Sequence, residues 1–171
     1  LLDAYVGAVS GVKVGDPQDP ATQMGPLTME RQLKRVQGYI AKGKEEGAKP
    51  VLGGGRPKGF DRGYYIEPTV FNDVETSMTI AREEIFGPVV SFITYKNVDD
   101  ALEKANSTIY GLHGAVYTQD PERGYEVAHV GEGRWNGVAL LSRVGLDDVE
   151  RALPGAPKFS DALEARAVTA T

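Results

Sequence analysis

Cysteine is absent from all 171 residues. That excludes disulfides, thiolate zinc sites and any cysteine nucleophile within this chain. Histidine is scarce as well: His113 and His129 fall on different expected elements without a metal-ligand spacing, so both are read as structural. No apolar run approaches the roughly 20 residues needed to cross a bilayer, and the opening "LLDAYVGAVSGVKVGD" is too short and interrupted for the apolar region of a signal peptide. A cytoplasmic protein with no membrane partner is expected. Basic charge is not in surplus either: the formal net charge is −5, and Lys and Arg do not cluster on a recognition helix, so nucleic acid is not an expected partner. Ser142 lacks the surroundings of a G-x-S-x-G elbow, and Gly53-Gly54-Gly55 lacks the G-x-G-x-x-G spacing and reads as a tight loop.

What remains is ordinary globular material of about one domain's length, 41% hydrophobic and 25% charged. The first residue is Leu1 rather than Met, which fits a piece of something longer. Leu2, Tyr5, Val6 and Val9 recur at helical spacing within Leu1 to Val12, and the Pro/Gly/Asp-rich "KVGDPQDPATQMGPL" is a connection. Thr28 is placed to cap a second helix whose apolar stripe is Met29, Leu33, Val36 and Ile40, weakened at Gly43 and Gly47. Strands are expected at Pro50 to Leu52, at Tyr64 to Phe71 with Pro68 marking an edge or bulge, and most clearly at Val89 to Tyr95. Asn97, with Asp100 three residues on, begins a helix through Ala105; "GAVYT" from Gly114 is another strand, and Asp120-Pro121 opens a further helix. The acidic pairs Asp99/Asp100 and Asp147/Asp148 suit helix starts better than acid/base dyads, since negative charge there meets the positive end of the helix dipole. The alternation predicts an α/β fold, a mostly parallel sheet with flanking helices.

The stretch "TIAREEIFGPVV", Thr79 to Val90, sets two carboxylates, Glu83 and Glu84, directly before Ile85-Phe86-Gly87-Pro88. Read alone it is a charged helix end before a Gly-Pro turn. Together with "VGDPQDPATQMGPL", "RVQGYIAKGKEEGAK", "GGGRP", "RGYYIEPTVF" and "ANSTIYGLHGAVYT", in that order and spacing, it resembles the C-terminal part of the catalytic domain of the NAD(P)-dependent aldehyde dehydrogenase superfamily over residues 1 to about 128.

The resemblance implies a cofactor, NAD or NADP, and a set of residues for it. Hydride transfer needs the nicotinamide held at reacting distance, so the ribose beneath it must be fixed. A carboxylate does this because its two oxygens accept from neighbouring ribose hydroxyls. The resemblance gives that role to Glu84 and sets Phe86 against the nicotinamide ring. Glu83 is then a solvated or ion-paired neighbour. Gln32 matches a position contacting the same ribose, Arg35 a basic position near it, and Leu112 a position near the nicotinamide and substrate end; an exposed helix face is the other reading of Gln32 and Arg35. In the family a cysteine thiolate attacks the aldehyde and a glutamate-activated water hydrolyses the resulting thioester. The resemblance sets that cysteine shortly before the position of Leu1 and the glutamate earlier still, so no catalytic residue is expected here and the chain alone should be inactive.

From residue 129 to 171 the chain departs from the family: the expected Gly-Thr-Val-x-Val-Asn strand and the Pro-Phe-Gly-Gly loop are missing, and no Ile, Tyr, Met or Gln follows Val130. Such a composition is what a shifted reading frame of a GC-rich gene produces; a divergent helical tail, with pieces at Leu146 to Leu153 and Ser160 to Ala167, is the other reading. Poor packing of this tail is expected. Two functions follow: a fragment of an enzyme oxidising a small-molecule aldehyde with NAD(P), associating with a missing N-terminal part or as a homo-oligomer, or a non-catalytic module that associates with a full-length aldehyde dehydrogenase.

Overall fold

The second helix organises the first half of the chain. In the computed structural model, which describes residues 1–110 and 115–118 and the backbone of 140–141, 149–150 and 169–170, this helix, α2, runs Glu30–Glu45 and follows α1, Leu2–Ser10. Leu33, Val36, Ile40 and Gly43, three or four residues apart, are the buried face of α2. Exposed Met29 is the N-cap rather than a member of that stripe, and no side chain caps the helix. Thr28 is therefore not the cap: it lies one residue too early, and the carbonyl of Met29 takes the amides of Gln32 and Leu33. The helix also runs through Gly43, because a larger residue there would press on Ile80, and it ends before Gly47, whose φ of +102° suits glycine. In α1 the expected stripe is half-buried, with Tyr5 edge-on to Phe92 at 5.2 Å between ring centroids.

Three strands, β1 (Lys49–Leu52), β2 (Thr69–Asn72) and β3 (Val89–Ser91), form a sheet in the order β1-β2-β3. The central strand is covered on both faces, since Thr69, Val70 and Phe71 are all buried. The sheet is mixed rather than mostly parallel: β1 pairs antiparallel with β2, with a shift between Pro50 and Leu52, and only β2 and β3 run parallel. The cause is what each connection contains. The loop from Gly53 to Pro68 turns straight back, whereas Asp73 to Pro88 carries a helical turn, α3 (Thr79–Arg82), as a parallel crossover requires. The strand expected at Tyr64 to Phe71 begins only at Thr69. Pro68 has no amide to give a ladder, and upstream the backbone bonds elsewhere, Leu27 N–H to Tyr64 and Glu67 N–H to Gly55. The strand expected to reach Tyr95 ends at Ser91, although Phe92 N–H still bonds the Phe71 carbonyl at 2.8 Å.

Between α2 and the sheet lies a core of Leu33, Val36, Ile40, Ala48, Ile66, Phe71, Val74, Ile80 and Ile85. Val36 is wholly buried, and its side chain occupies the space a methyl group at Gly87 would need.

The chain divides into two units, Leu1–Thr94 and Tyr95–Thr171. In the second, α4 (Val98–Ala105) starts as the sequence predicts: Asn97 Oδ1 accepts from the Asp100 amide at 2.9 Å. Asp100 in turn accepts from the Lys96 amide and from Lys104, so this acidic pair is a helix start. β4 (Val116–Tyr117) lies within the expected "GAVYT" strand and pairs parallel with β5 (Leu140–Leu141), while β6 (Val149–Glu150) pairs antiparallel with β7 (Thr169–Ala170). The helix expected over Leu146 to Leu153 is thus replaced at Val149 and Glu150 by backbone that finds cross-strand partners. The expected helices at Asp120-Pro121 and Ser160 to Ala167 lie outside the described residues, as do Asp147, Asp148, Ser142, His113 and His129. Among the described residues no helix is long and apolar enough to cross a membrane.

Two glycines on this framework should respond oppositely to a methyl group. Gly38 is exposed in mid-helix with nothing within 4 Å of an added Cβ, so Gly38→Ala should stabilise by about 0.5 to 1 kcal/mol. Gly87→Ala should destabilise by about 1 to 3 kcal/mol through overpacking against Val36. Urea unfolding midpoints read both signs, and an unchanged midpoint for Gly87→Ala would contradict the packing described.

Candidate functional site

The segment carrying Glu83 and Glu84 is an arch held at both ends and in the middle. Its entry is α3, and α3 is capped from outside by Glu46 at the end of α2. The Glu46 carboxylate accepts from the Thr79 amide and from the Thr79 hydroxyl, each at 2.7 Å. These bonds, the hydroxyl first, hold the Glu46 carboxyl below the ordinary carboxylate range, with Lys42 Nζ adding to the effect at 3.8 Å. The exit, just before β3, is Pro88, whose carbonyl accepts from the Thr69 N–H at 2.8 Å.

Between these ends Glu83 is extended, at φ −122° and ψ 146°. Ile85 turns into the core at 8% exposure, and Phe86, at φ +54°, turns out at 71%. A non-glycine residue in the left-handed region costs about 1 to 3 kcal/mol and persists where its surroundings over-determine it. Here the surroundings are the buried Ile85 and two side chains of α2. Gln32 Nε2 donates to the carbonyls of Ile85 (3.3 Å) and Phe86, and Arg35 donates to the carbonyl of Glu84 at 2.8 Å.

Four of the five residues expected at the site are therefore brought together: Gln32, Arg35, Glu84 and Phe86. Leu112 lies outside the described residues. Gln32 and Arg35 are not merely an exposed helix face, since both reach across to the arch. Glu83 is exposed, and among the described residues it has no ion-pair partner; it accepts from the Tyr39 hydroxyl at 2.7 Å, which corrects the expectation of a solvated or ion-paired neighbour. Glu84 is exposed, and among the described residues its carboxylate has no hydrogen-bond or ion-pair partner. Tyr39, Glu46 and Thr79 escaped the sequence reading. For Tyr39 a signal existed: it follows Gln32 and Arg35 at steps of three and four, on one helical face.

Chemically, the arch offers two acceptor oxygens and, two positions on, an aromatic face, both exposed on backbone whose carbonyls are bonded from α2. That set suits a ligand with neighbouring hydroxyls and a flat ring. Among the described residues no three of His, Asp and Glu gather as metal ligands.

Comparison with known proteins agrees with the fold. The sequence profile of the aldehyde dehydrogenase family matches residues 1–133. The betaine aldehyde dehydrogenase of Brucella anthropi is 53% identical over 129 residues, 74% of this chain and 26% of that protein. Among solved structures, a Mycobacterium tuberculosis aldehyde dehydrogenase complexed with NAD+ superposes with a TM-score of 0.75 at 46% identity, over 86% of this chain and 30% of that one. A Pseudomonas syringae aldehyde dehydrogenase, AldC, in complex with NAD+ and octanal gives a TM-score of 0.75 at 44% identity, over 84% and 29%. The chain belongs to the aldehyde dehydrogenase family. It spans about a quarter of the length of the curated relatives it matches.

The cap on α3 predicts a pH signature. A carboxyl held below its ordinary pKa contributes stability that is present above the unfolded value and lost as pH falls through the folded one. Wild type should therefore be more stable than Glu46→Gln near neutral pH, and the gap should close as acid protonates Glu46. Urea midpoints of the two proteins across the acidic range check this, and a gap independent of pH would contradict it.

Proposed function

We propose that this chain supplies one wall of the nicotinamide-cofactor site of an enzyme oxidising aldehydes to carboxylic acids with NAD or NADP. The observation that carries the reading is the arch itself: an exposed Glu84 carboxylate with no hydrogen-bond or ion-pair partner among the described residues, two positions before an exposed Phe86 ring, on backbone clamped from α2. Family membership and the NAD+ complexes of similar structures support it.

When bound, NAD or NADP would accept the hydride from the substrate carbon. The residues of this chain bind and orient. Glu84 receives the two ribose hydroxyls as charge-assisted hydrogen bonds, Phe86 limits the movement of the nicotinamide ring, and Gln32 and Arg35 keep both at a fixed height. Leu112 stands near the substrate end of the same wall. The thiol nucleophile and the water-activating carboxylate come from outside this sequence, which contains no cysteine. The chain alone accordingly does not oxidise aldehydes and depends on association with the rest of an aldehyde dehydrogenase.

A chimaera tests this, with residues 1–128 replacing the matching segment of the Brucella anthropi relative. Purified alone, the 171-residue chain should form no NADH from an aldehyde panel. In the chimaera, Glu84→Gln should lower hydride transfer about ten- to a hundredfold, the size of a lost charge-assisted hydrogen bond, and Glu83→Gln should lower it far less. Equal effects of the two substitutions would remove Glu84 from the ribose.

A further inference from the structure

Two adjacent carboxylates of identical chemistry meet different fates in this arch. Glu83 is tied to α2, whereas exposed Glu84 has no side-chain partner among the described residues. Backbone geometry explains how one fate sets the other. Glu83 is extended, and along extended backbone successive side chains point to opposite sides. Whatever fixes the side taken by Glu83 therefore fixes the opposite side for Glu84.

What fixes it is a closed ring of contacts. Arg35 donates to the Tyr39 hydroxyl at 3.0 Å, and that hydroxyl donates to Glu83 Oε2 at 2.7 Å. The Arg35 guanidinium also donates to the Glu84 carbonyl at 2.8 Å, returning the ring to the next residue of the chain. It lies over the Tyr39 ring, 5.0 Å from its centroid, so the phenol and the guanidinium hold one another in place. A phenol suits the centre of such a relay because it donates one hydrogen bond and accepts others. Accepting from a cation polarises its O–H and strengthens the bond it gives to the carboxylate. An exposed Arg–Glu pair in the same place would be weak and free to change partners.

We propose that Tyr39 is a positioning residue: relayed from Arg35, its hydroxyl selects Glu83 as the carboxylate held against α2 and so turns Glu84 toward the cofactor. This rests on the role given to Glu84 above. It goes beyond the roles implied by family resemblance, which set Arg35 only near the ribose, because Arg35 here acts through Tyr39 and a backbone carbonyl.

Amide hydrogen exchange of the full 171-residue chain, read by NMR as protection at Glu83 and Thr69, whose amides donate to the Thr79 and Pro88 carbonyls at the two ends of the arch, tests the relay with no cofactor present. Tyr39→Phe should speed exchange there about three- to tenfold, the change expected for one hydrogen bond of ordinary net strength. Glu83→Ala should do the same, and the double variant should go no further than either single one. Glu83→Gln, which keeps an acceptor for the phenol, should stay near wild type. Amides of Ala48 and Phe92, bonded within the core, should not change in any variant. No change at Glu83 and Thr69 in Tyr39→Phe, or an equal rise at Phe92, would overturn the relay. In the chimaera, Tyr39→Phe should add nothing on top of Glu84→Gln. If Glu84→Gln itself proved silent while the exchange pattern held, the ribose assignment would fall and the relay geometry would stand, so the two failures are distinguishable.

Discussion

The exposed chemistry of this chain depends on backbone carbonyls being held by the side chains of one helix. Glu84 and Phe86 face outward on a turn with a residue in the left-handed region, a conformation that an unsupported loop would abandon. Gln32 and Arg35 bond the three consecutive carbonyls of that turn, Glu84, Ile85 and Phe86. One turn of helix away, Val36 packs so closely that only glycine fits at position 87. A single helix thus does two things with neighbouring faces: Leu33, Val36 and Ile40 fill the core, and Gln32, Arg35 and Tyr39 hold the arch. Position in the fold and position in the site are set by the same element, which is how a binding wall is kept rigid.

The same logic extends to the far end of α2. Glu46 closes the helix and, through Thr79, begins the short helical turn that leads into the arch. The arch therefore hangs between two points of one helix, a few turns apart, and the buried Ile80 and Ile85 pin it to the core between them. Such an arrangement costs little reorganisation when a ligand arrives, since groups already fixed need not be ordered on binding.

Much of this was legible in the sequence, for identifiable reasons. The stripe Leu33, Val36 and Ile40 shows as helical spacing because burial and periodicity are one signal, and Asn97 with Asp100 shows as a cap because the side-chain chemistry is local. The direction of β1 against β2 was not legible, because pairing is decided by how a loop closes and not by the composition of the strands. The early part of "YYIEPTVF" has strand composition yet bonds to loops, since Pro68 breaks the ladder it would have joined. At the site, resemblance picked out Glu84, Phe86, Gln32 and Arg35. It did not reveal that Gln32 and Arg35 reach the arch through carbonyls, because a backbone acceptor leaves no mark on the sequence. For Tyr39 the helical face it shares with Gln32 and Arg35 was visible, but its partner was not: Glu83 is 44 residues away and reads, in isolation, as one charge among many.

The central claim is that α2 fixes the arch so that Glu84, and not Glu83, meets the ribose. A crystal structure of the chimaera with NAD+ bound tests it most directly. The account predicts both ribose hydroxyls within hydrogen-bond distance of the Glu84 carboxylate, with Gln32 still on the Ile85 and Phe86 carbonyls and Tyr39 still on Glu83. A ribose held by Glu83, or a Glu84 side chain turned away from the cofactor, would contradict it.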